Sequence, residues 1–342
     1  MRYNGAVSLS KSIEKYAARC IANIPSNIAR RLTSTVEVDG QTLDPHLRMI
    51  LAVNKRNGGF ETHESVEGAR ESYYHIAKIL EKPEAPANDT KNSSVDTEEG
   101  PVPIRMYRPA GSGPHPAVIF FHGGGYTIGD LETHEGLCRR FCRELGATVI
   151  AVDYRLAPEH PFPAGIDDCV AVTKWVVDSA DSLGIDPGRI ALAGDSAGGN
   201  FAAVVSQEVS GIVFQLLIYP GTDARVHTHS KDLFAHGFGL DKTTIDWFFE
   251  TYANGASRDD PRISPAASST LAKSPPTHVA TAGFDVLRDE GLAFAAMLKD
   301  AGVACTVDNH DSLGHGFVHL TRLPGCDRAV ASLVEALRLG LG

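Results

Sequence analysis

The segment Gly194–Gly198 (Gly-Asp-Ser-Ala-Gly) holds a serine between an apolar run and a stretch rich in Ala and Val. In a sharp turn from a strand into a helix, this spacing projects the hydroxyl of Ser196 above the sheet. The start of the helix then offers partial positive charge to an anion. The pattern predicts Ser196 as a nucleophile, although by itself it also suits a glycine-rich turn that only joins two elements.

A second glycine-rich segment, His122–Gly125 (His-Gly-Gly-Gly), also follows an apolar run. Glycines allow backbone N–H groups to point into a cavity without obstruction by side chains. We therefore expect the N–H groups of Gly123, Gly124 and Ala197 to form an oxyanion hole for a tetrahedral intermediate. A phosphate-binding loop is the alternative, but no Walker lysine follows and the G-x-G-x-x-G spacing is absent.

A serine nucleophile needs a base, and the base needs an orienting carboxylate. Asp285 comes directly after the apolar run Thr277–Phe284, and His315 comes shortly after a strand-like run at Cys305–Asn309. The intervening segments have room for the strands and helices that would bring these residues together. We expect Ser196 as nucleophile, His315 as general base and Asp285 as the residue that orients the base.

Neighbouring residues compete for the last two roles. The competitors are His310 for the base, and Asp289 and Glu290 for the orienting acid. We place His310 at the end of its strand and the two acids one turn into the next helix. That placement favours His315 and Asp285.

Short apolar runs of strand length alternate with helical patterns from residue 102 onward. This alternation predicts an α/β fold with a mostly parallel sheet flanked by helices. The predicted strands are Ala117–Phe121, Thr148–Val152, Arg189–Ala193, Ile212–Tyr219 and His278–Ala282, after an antiparallel strand at Val102–Tyr107. The predicted helices are Glu135–Leu145, Asp167–Ser179, Gly198–Val209 and Glu290–Ala301.

One long segment falls outside the alternation. Residues 222–264 interrupt a strand-to-helix connection and contain a helical pattern at Asp241–Tyr252. A connection of that length is usually functional, and open parallel sheets bind ligands at the carboxyl ends of their strands. We expect a cap built from 1–60 and 222–264, over a core built from 61–221 and 265–342.

The region before the sheet is helical, and its start is basic. Helical patterns at Pro45–Asn54 and Ser65–Leu80 lead into a polar stretch, 82–100, that we expect to be a solvated connector. Residues 9–24 form an amphipathic pattern, with an apolar stripe of Ile13, Tyr16, Cys20 and Ile24. Residues 1–36 hold six basic side chains and one acid. The helix could lie on a membrane surface or cover the active-site mouth. We favour the second because the stripe is narrow and lacks a Trp or Phe anchor.

Composition restricts the classes of function. Apolar residues make up 43% of the 342 residues and charged residues 22%, as is typical of a globular domain. The net charge of −10 argues against a nucleic-acid partner, and no apolar run is long enough to span a membrane. Six scattered cysteines and the near pair His227 and His229 show no zinc-like spacing. We expect reduced thiols, a cytoplasmic location, no membrane partner and no metal, and a homodimer is left open.

The ordered motifs resemble the hormone-sensitive-lipase family, in its bacterial esterase branch with Asp in the serine motif. The matching segments are His122–Gly125, Asp153–Glu159, Gly194–Gly199, Asp259–Pro265, Gly283–Glu290 and His315–Phe317. The resemblance covers roughly residues 100–320. It implies an eight-stranded α/β-hydrolase fold with a helical cap, no metal or organic cofactor, and the catalytic and oxyanion roles assigned above. Val286 departs from the family, which often has proline there.

The resemblance implies hydrolysis of esters with short to medium acyl chains through an acyl-enzyme. Amide or carbamate hydrolysis by the same machinery is the close alternative. A non-catalytic small-molecule receptor is the alternative from another class, since plant gibberellin receptors resemble this family but lack a competent histidine. We expect bulky aromatic residues of the cap to shorten the acyl pocket, namely Phe234, Phe238, Trp247, Phe248 and Phe249.

Overall fold

The computed structural model describes residues 16–56 and 65–342. The strands in these ranges are β1 (Glu37–Val38), β2 (Gln41–Thr42), β3 (Asp89–Thr97), β4 (Gly100–Arg108), β5 (His115–Phe121), β6 (Thr148–Val152), β7 (Ile185–Asp195), β8 (Phe214–Ile218), β9 (Thr277–Phe284) and β10 (Cys305–Gly314). The helices are α1 (described over residues 16–22), α2 (Ser26–Leu32), α3 (Pro45–Arg56), α4 (Val66–Ile79), α5 (Glu135–Leu145), α6 (Ala164–Asp178), α7 (Ala197–Glu208), α8 (His229–Leu233), α9 (Lys242–Ala253), α10 (Arg288–Asp300) and α11 (Pro324–Leu341).

Eight of these strands form one sheet, in the order β10-β9-β8-β7-β5-β6-β4-β3. Neighbouring strands from β10 to β6 pair in parallel, whereas β4 is antiparallel to β6 and β3 is antiparallel to β4. Every residue of β6, β8 and β9 is buried. Strands buried on both faces produce continuous apolar runs, and the predicted eight-stranded, mostly parallel α/β architecture is confirmed.

Helices cover both faces of the sheet. Apolar side chains of α6, α7 and α10 pack on one face, and those of α5 and α11 pack on the other. Cys138 and Cys142 are both buried on α5. The carboxyl ends of the parallel strands remain free of these helices, so the loops that follow β5, β7, β9 and β10 can meet there.

The polar stretch 82–100 is not simply a solvated connector, because Asp89–Thr97 form the edge strand β3. This strand pairs with β4 along its whole length, yet Val95 is its one buried residue. An edge strand exposed on both faces has no apolar alternation to reveal it in the sequence. It is held by backbone hydrogen bonds, and its polar side chains discourage pairing with a further strand.

The helix α1 does not present the predicted apolar stripe to the protein. Ala18 and Ile21 are buried, whereas Tyr16 is 73% exposed and Cys20 is also exposed. Ile13 lies outside the described residues. The predicted stripe was therefore wrong in its helical phase, because one of the buried positions is Ala18, whose small side chain adds little to an apolar pattern. None of the helices in the described ranges combines the length and hydrophobicity needed to cross a bilayer.

Candidate active site

Ser196 occupies a strained turn between β7 and α7. Its backbone lies at φ 55° and ψ −117°, a region that residues with a side chain rarely adopt. A Cβ on Gly194 would overlap the backbone of Gly198, and a Cβ on Gly198 would overlap the backbone of Phe121. The two glycines thus allow strand and helix to approach closely enough for the turn to expose the serine hydroxyl.

His315 and Asp285 lie beside this hydroxyl. The His315 Nε2 is 3.0 Å from Ser196 Oγ, and its Nδ1 is 2.7 Å from Asp285 Oδ2. The Asp285 carboxylate is buried and also accepts the Leu287 N–H. Since Nδ1–H is donated to the carboxylate, Nε2 is left to accept the serine proton. The three residues that the sequence singled out are brought together in the geometry needed for nucleophilic catalysis.

The competing residues are engaged elsewhere. His310 lies on β10, where burial lowers its pKa. Asp289 accepts the Ser230 N–H, and Glu290 accepts the Thr222 N–H. These contacts hold the two acids against the segment that follows β8.

The glycine loop departs from expectation at its first glycine. The Gly123 N–H does not open into the cavity, because it donates to Asp195 Oδ1 at 2.8 Å. Gly124 and Gly125 line the cavity beside Ser196 and Ala197. The sequence could not show which of the three consecutive glycines line the cavity. This is decided by φ values of +125° at Gly124 and +55° at Gly125, which turn the loop toward the serine.

A mainly apolar cavity of about 600 Å³ extends from Ser196 and His315. Its walls come from α1, α3, α4, α9 and the segment after β8, through residues including Ala18, Leu47, Ile50, Leu51, Tyr73, Ile76, Ile245, Phe248 and Phe249. Volume and lining are those of a site for a small organic molecule. The helix α4, which falls within the predicted core range 61–221, is thus part of the cavity wall.

The aromatic residues expected in the cap fall into two groups. Phe238, Phe248 and Phe249 line the cavity. Phe234 is fully buried under it, and Trp247 lies behind the wall with its ring 5.0 Å from that of Phe248. The sequence indicated aromatic bulk correctly but not which rings meet the substrate, because that depends on how α9 is turned.

A buried polar cluster behind the serine was missed by sequence reasoning. His134 Nε2 lies 3.1 Å from Asp195 Oδ1, the Tyr219 hydroxyl donates to Asp195 Oδ2, and His319 Nε2 is 2.9 Å from the Tyr73 hydroxyl. These residues come from distant parts of the chain with no recognisable spacing. Burial lowers the pKa of His319 to about 3, and the pKa of nearby His122 is lowered to about 4 for the same reason.

Comparison with known proteins identifies similar chains over most of this length. The family described as having the alpha/beta hydrolase fold matches residues 118–319. The carboxylic ester hydrolase LipN of Mycobacterium tuberculosis is 40% identical over 335 residues, covering 93% of this chain and 89% of the relative. The ethyl acetate hydrolase of Pseudomonas putida is 35% identical over 287 residues, covering 80% and 90%.

Solved structures give the same picture. An ester hydrolase from the metagenome of Lake Arreo superimposes with a TM-score of 0.80 at 38% identity, covering 86% of this chain and 96% of that one. The hyperthermophilic esterase of Pyrobaculum calidifontis superimposes with a TM-score of 0.79 at 35% identity, covering 88% and 99%.

Proposed function

We propose that this chain, which belongs to the α/β-hydrolase family in its branch related to hormone-sensitive lipase, is a serine carboxylesterase that forms an acyl-enzyme on Ser196. The observation that carries the proposal is the hydrogen-bonded series from Ser196 through His315 to Asp285 at the wall of an apolar cavity. Relatives named as esterases support the same reaction.

The reaction proceeds in two stages. As Ser196 Oγ attacks the ester carbonyl carbon, His315 Nε2 takes its proton, and Asp285 stabilises the resulting imidazolium. The negative oxygen of the tetrahedral intermediate is held by the N–H groups of Gly124, Gly125 and Ala197. Collapse expels the alcohol, which receives its proton from His315. Water activated by the same imidazole then releases the acid.

We assign Gly125 rather than Gly123 to the oxyanion hole. The Gly123 N–H has an acceptor in Asp195, whereas Gly124 and Gly125 line the cavity. A Cβ on Gly125 would overlap the ring of Phe248, so the loop and the cap helix α9 are in close contact here.

Short to medium acyl chains are the proposed substrates. The cavity of about 600 Å³ is lined by the bulky rings of Phe248 and Phe249, which supports a limit on chain length. We retain the proposed cap of residues 1–60 and 222–264, which is supported by cavity-lining residues on α1, α3 and α9. A cytoplasmic location is supported by the free state of all six cysteines.

The non-catalytic receptor alternative is disfavoured because His315 is within hydrogen-bond distance of both its partners. The test is a series of p-nitrophenyl esters from acetate to palmitate, with stopped-flow detection of the first turnover. We expect a burst equal to the enzyme concentration, the highest kcat/KM between acetate and hexanoate, and a phosphonate inhibitor bound covalently at Ser196. Absence of hydrolysis, or labelling of another residue, would refute the proposal.

A further inference from the structure

Asp195 directly precedes the proposed nucleophile, and its side chain is held by polar groups of the protein. The residue is 2% exposed. Its Oδ1 accepts the Gly123 N–H at 2.8 Å and lies 3.1 Å from His134 Nε2, and its Oδ2 accepts the Tyr219 hydroxyl at 3.2 Å. Both carboxylate oxygens are therefore engaged by groups from three other parts of the chain.

The partners of Asp195 reach both sides of the site. Gly123 begins the loop whose next two residues line the cavity. The ring of Tyr219 packs 4.5 Å from the imidazole of His315. Asp195 is also joined to Ser196 by a peptide bond. This one residue therefore connects the proposed nucleophile, the glycine loop and Tyr219 beside the base.

We propose that Asp195 is a positioning residue for ester hydrolysis, which holds the N–H groups of Gly124 and Gly125 where the oxyanion forms. The inference rests on the proposed function. Oxyanion donors lower the barrier when they lie about 3 Å from the developing charge. A loop that drifts from this position should slow the chemical step more than it weakens binding of the neutral ester.

The contribution of Asp195 must be geometric, because a bare anion here would oppose the reaction. Negative charge next to a forming oxyanion is repulsive, most strongly where water is excluded. Burial by itself would raise the pKa of Asp195, but His134 and the Gly123 N–H outweigh it and hold the pKa well below its usual range. The carboxylate is thus ionised, with His134 Nε2 and the Gly123 N–H beside Oδ1.

The same cluster contains potential metal ligands, since His134, Asp195 and His319 offer atoms within 4.8 Å of one another. All three side chains have polar contacts within the protein, and His134 Nε2 faces Asp195 Oδ1 at 3.1 Å. His134 Nδ1 lies 2.9 Å from Thr133 Oγ1, and His319 Nε2 lies 2.9 Å from the Tyr73 hydroxyl. We therefore assign the cluster to hydrogen bonding around Asp195.

The test compares Asp195→Ala with Asp195→Asn on p-nitrophenyl butyrate. The alanine variant leaves the loop without its acceptor, so kcat should fall about 10²-fold, the size of losing one oxyanion donor, while KM stays within about threefold. The asparagine variant keeps an oxygen for the Gly123 N–H and should retain kcat within about tenfold.

Inhibition separates positioning from general damage. A trifluoromethyl ketone adds to the serine and forms an oxyanion, whereas the matching methyl ketone binds mainly unreacted. For Asp195→Ala we expect the Ki of the first to rise by the factor by which kcat/KM falls, with the Ki of the second nearly unchanged. An equal rise for both ketones, or a kcat like that of the wild type, would overturn the inference.

Two further variants guard the interpretation. Gln215→Ala removes a buried side chain hydrogen-bonded to Thr277, away from the glycine loop, and should leave the ratio of the two Ki values unchanged. Gly123→Ala places a Cβ against Asp195 and should show the pattern expected for Asp195→Ala. It therefore tests the inference independently if Asp195→Ala does not fold. A wild-type protein with no esterase activity would instead refute the proposed function.

Discussion

Ser196 lines the cavity and has a backbone conformation that favours glycine (φ 55°, ψ −117°). Such strain costs of order 1–3 kcal/mol and persists only where the surrounding structure enforces it. Its neighbours do so here, because the Ser196 N–H donates to the Ile218 carbonyl and α7 begins at the next residue. At the proposed nucleophile, the backbone geometry is therefore maintained at a cost in stability.

Replacement of Ser196 should separate these two effects. Both Ser196→Ala and Ser196→Gly should lose kcat by about 10⁴-fold or more, since no nucleophile remains. The glycine variant should unfold with a free energy about 1 kcal/mol higher than the alanine variant, because glycine tolerates positive φ. Kinetics and urea unfolding of the three proteins check this. More than a few per cent residual activity in either variant would contradict the role of Ser196.

The two histidines near the end of β10 should differ sharply in importance. His315→Ala removes the group 3.0 Å from Ser196 Oγ and should reduce kcat by about 10³-fold or more. His310→Ala should change kcat less than about threefold, because the His310 ring packs against Phe317 and is not part of the series from Ser196 to Asp285. Steady-state kinetics on one activated ester decides the matter, and the reverse ranking would exchange the assignments.

At the scale of elements, α9 sets one wall of the cavity and contacts the glycine loop. Phe248→Ala should enlarge the cavity beside Gly125 and move the best acyl chain toward longer esters. The ratio of kcat/KM for octanoate over that for acetate should rise about tenfold, because each further methylene that an apolar pocket accommodates is worth about 1–3 kcal/mol. Trp247→Ala, on the same helix but behind the wall, is the matched control and should alter the ratio much less.

The N-terminal elements belong to the same wall. Ala18 lines the cavity, and Asp39, in the turn between β1 and β2, pairs with Arg288 at 2.8 Å. Deletion of residues 1–40 should therefore lower kcat/KM or shift the chain-length preference. The deleted protein should be compared with full-length protein on the ester series. Unchanged kinetics, combined with co-sedimentation of the full-length protein with anionic vesicles, would favour the membrane-surface interpretation.

At the scale of the whole molecule, buried neutral histidines make stability sensitive to acid. The pKa of His122 is about 4 and that of His319 about 3, both lowered by burial from 6.5. Below pH 6.5 these histidines take up protons in the unfolded chain, whereas in the folded protein they do so only near pH 4 and pH 3. The free energy of unfolding should therefore decrease as the pH is lowered, by about 1.4 kcal/mol per pH unit for each histidine.

Urea unfolding between pH 7.5 and 4.5 measures this slope. His319→Gln should flatten it by one histidine's share, because glutamine does not titrate. The same replacement at His75, which is half-exposed on α4, serves as the control for losing a histidine. A slope identical in wild type and His319→Gln would show that His319 does not contribute.

The sequence determined the elements and the three residues proposed to react, because these are recorded locally. Continuous apolar runs mark strands buried on both faces, and Thr148–Val152 has the predicted bounds. The turn around Ser196 needs glycines on either side, while Asp285 and His315 follow two further strands. In each case, the signal lies in a few adjacent residues.

The tertiary structure decided the features that depend on distant partners. Asp195 is what withdraws the Gly123 N–H from the cavity, and pairing with β4 is what makes Asp89–Thr97 a strand. The buried face of α1, with Ala18, depends likewise on what it packs against. Local pattern gives the type of an element, whereas its rotation and the direction of each N–H are fixed by contacts with residues far away in the chain.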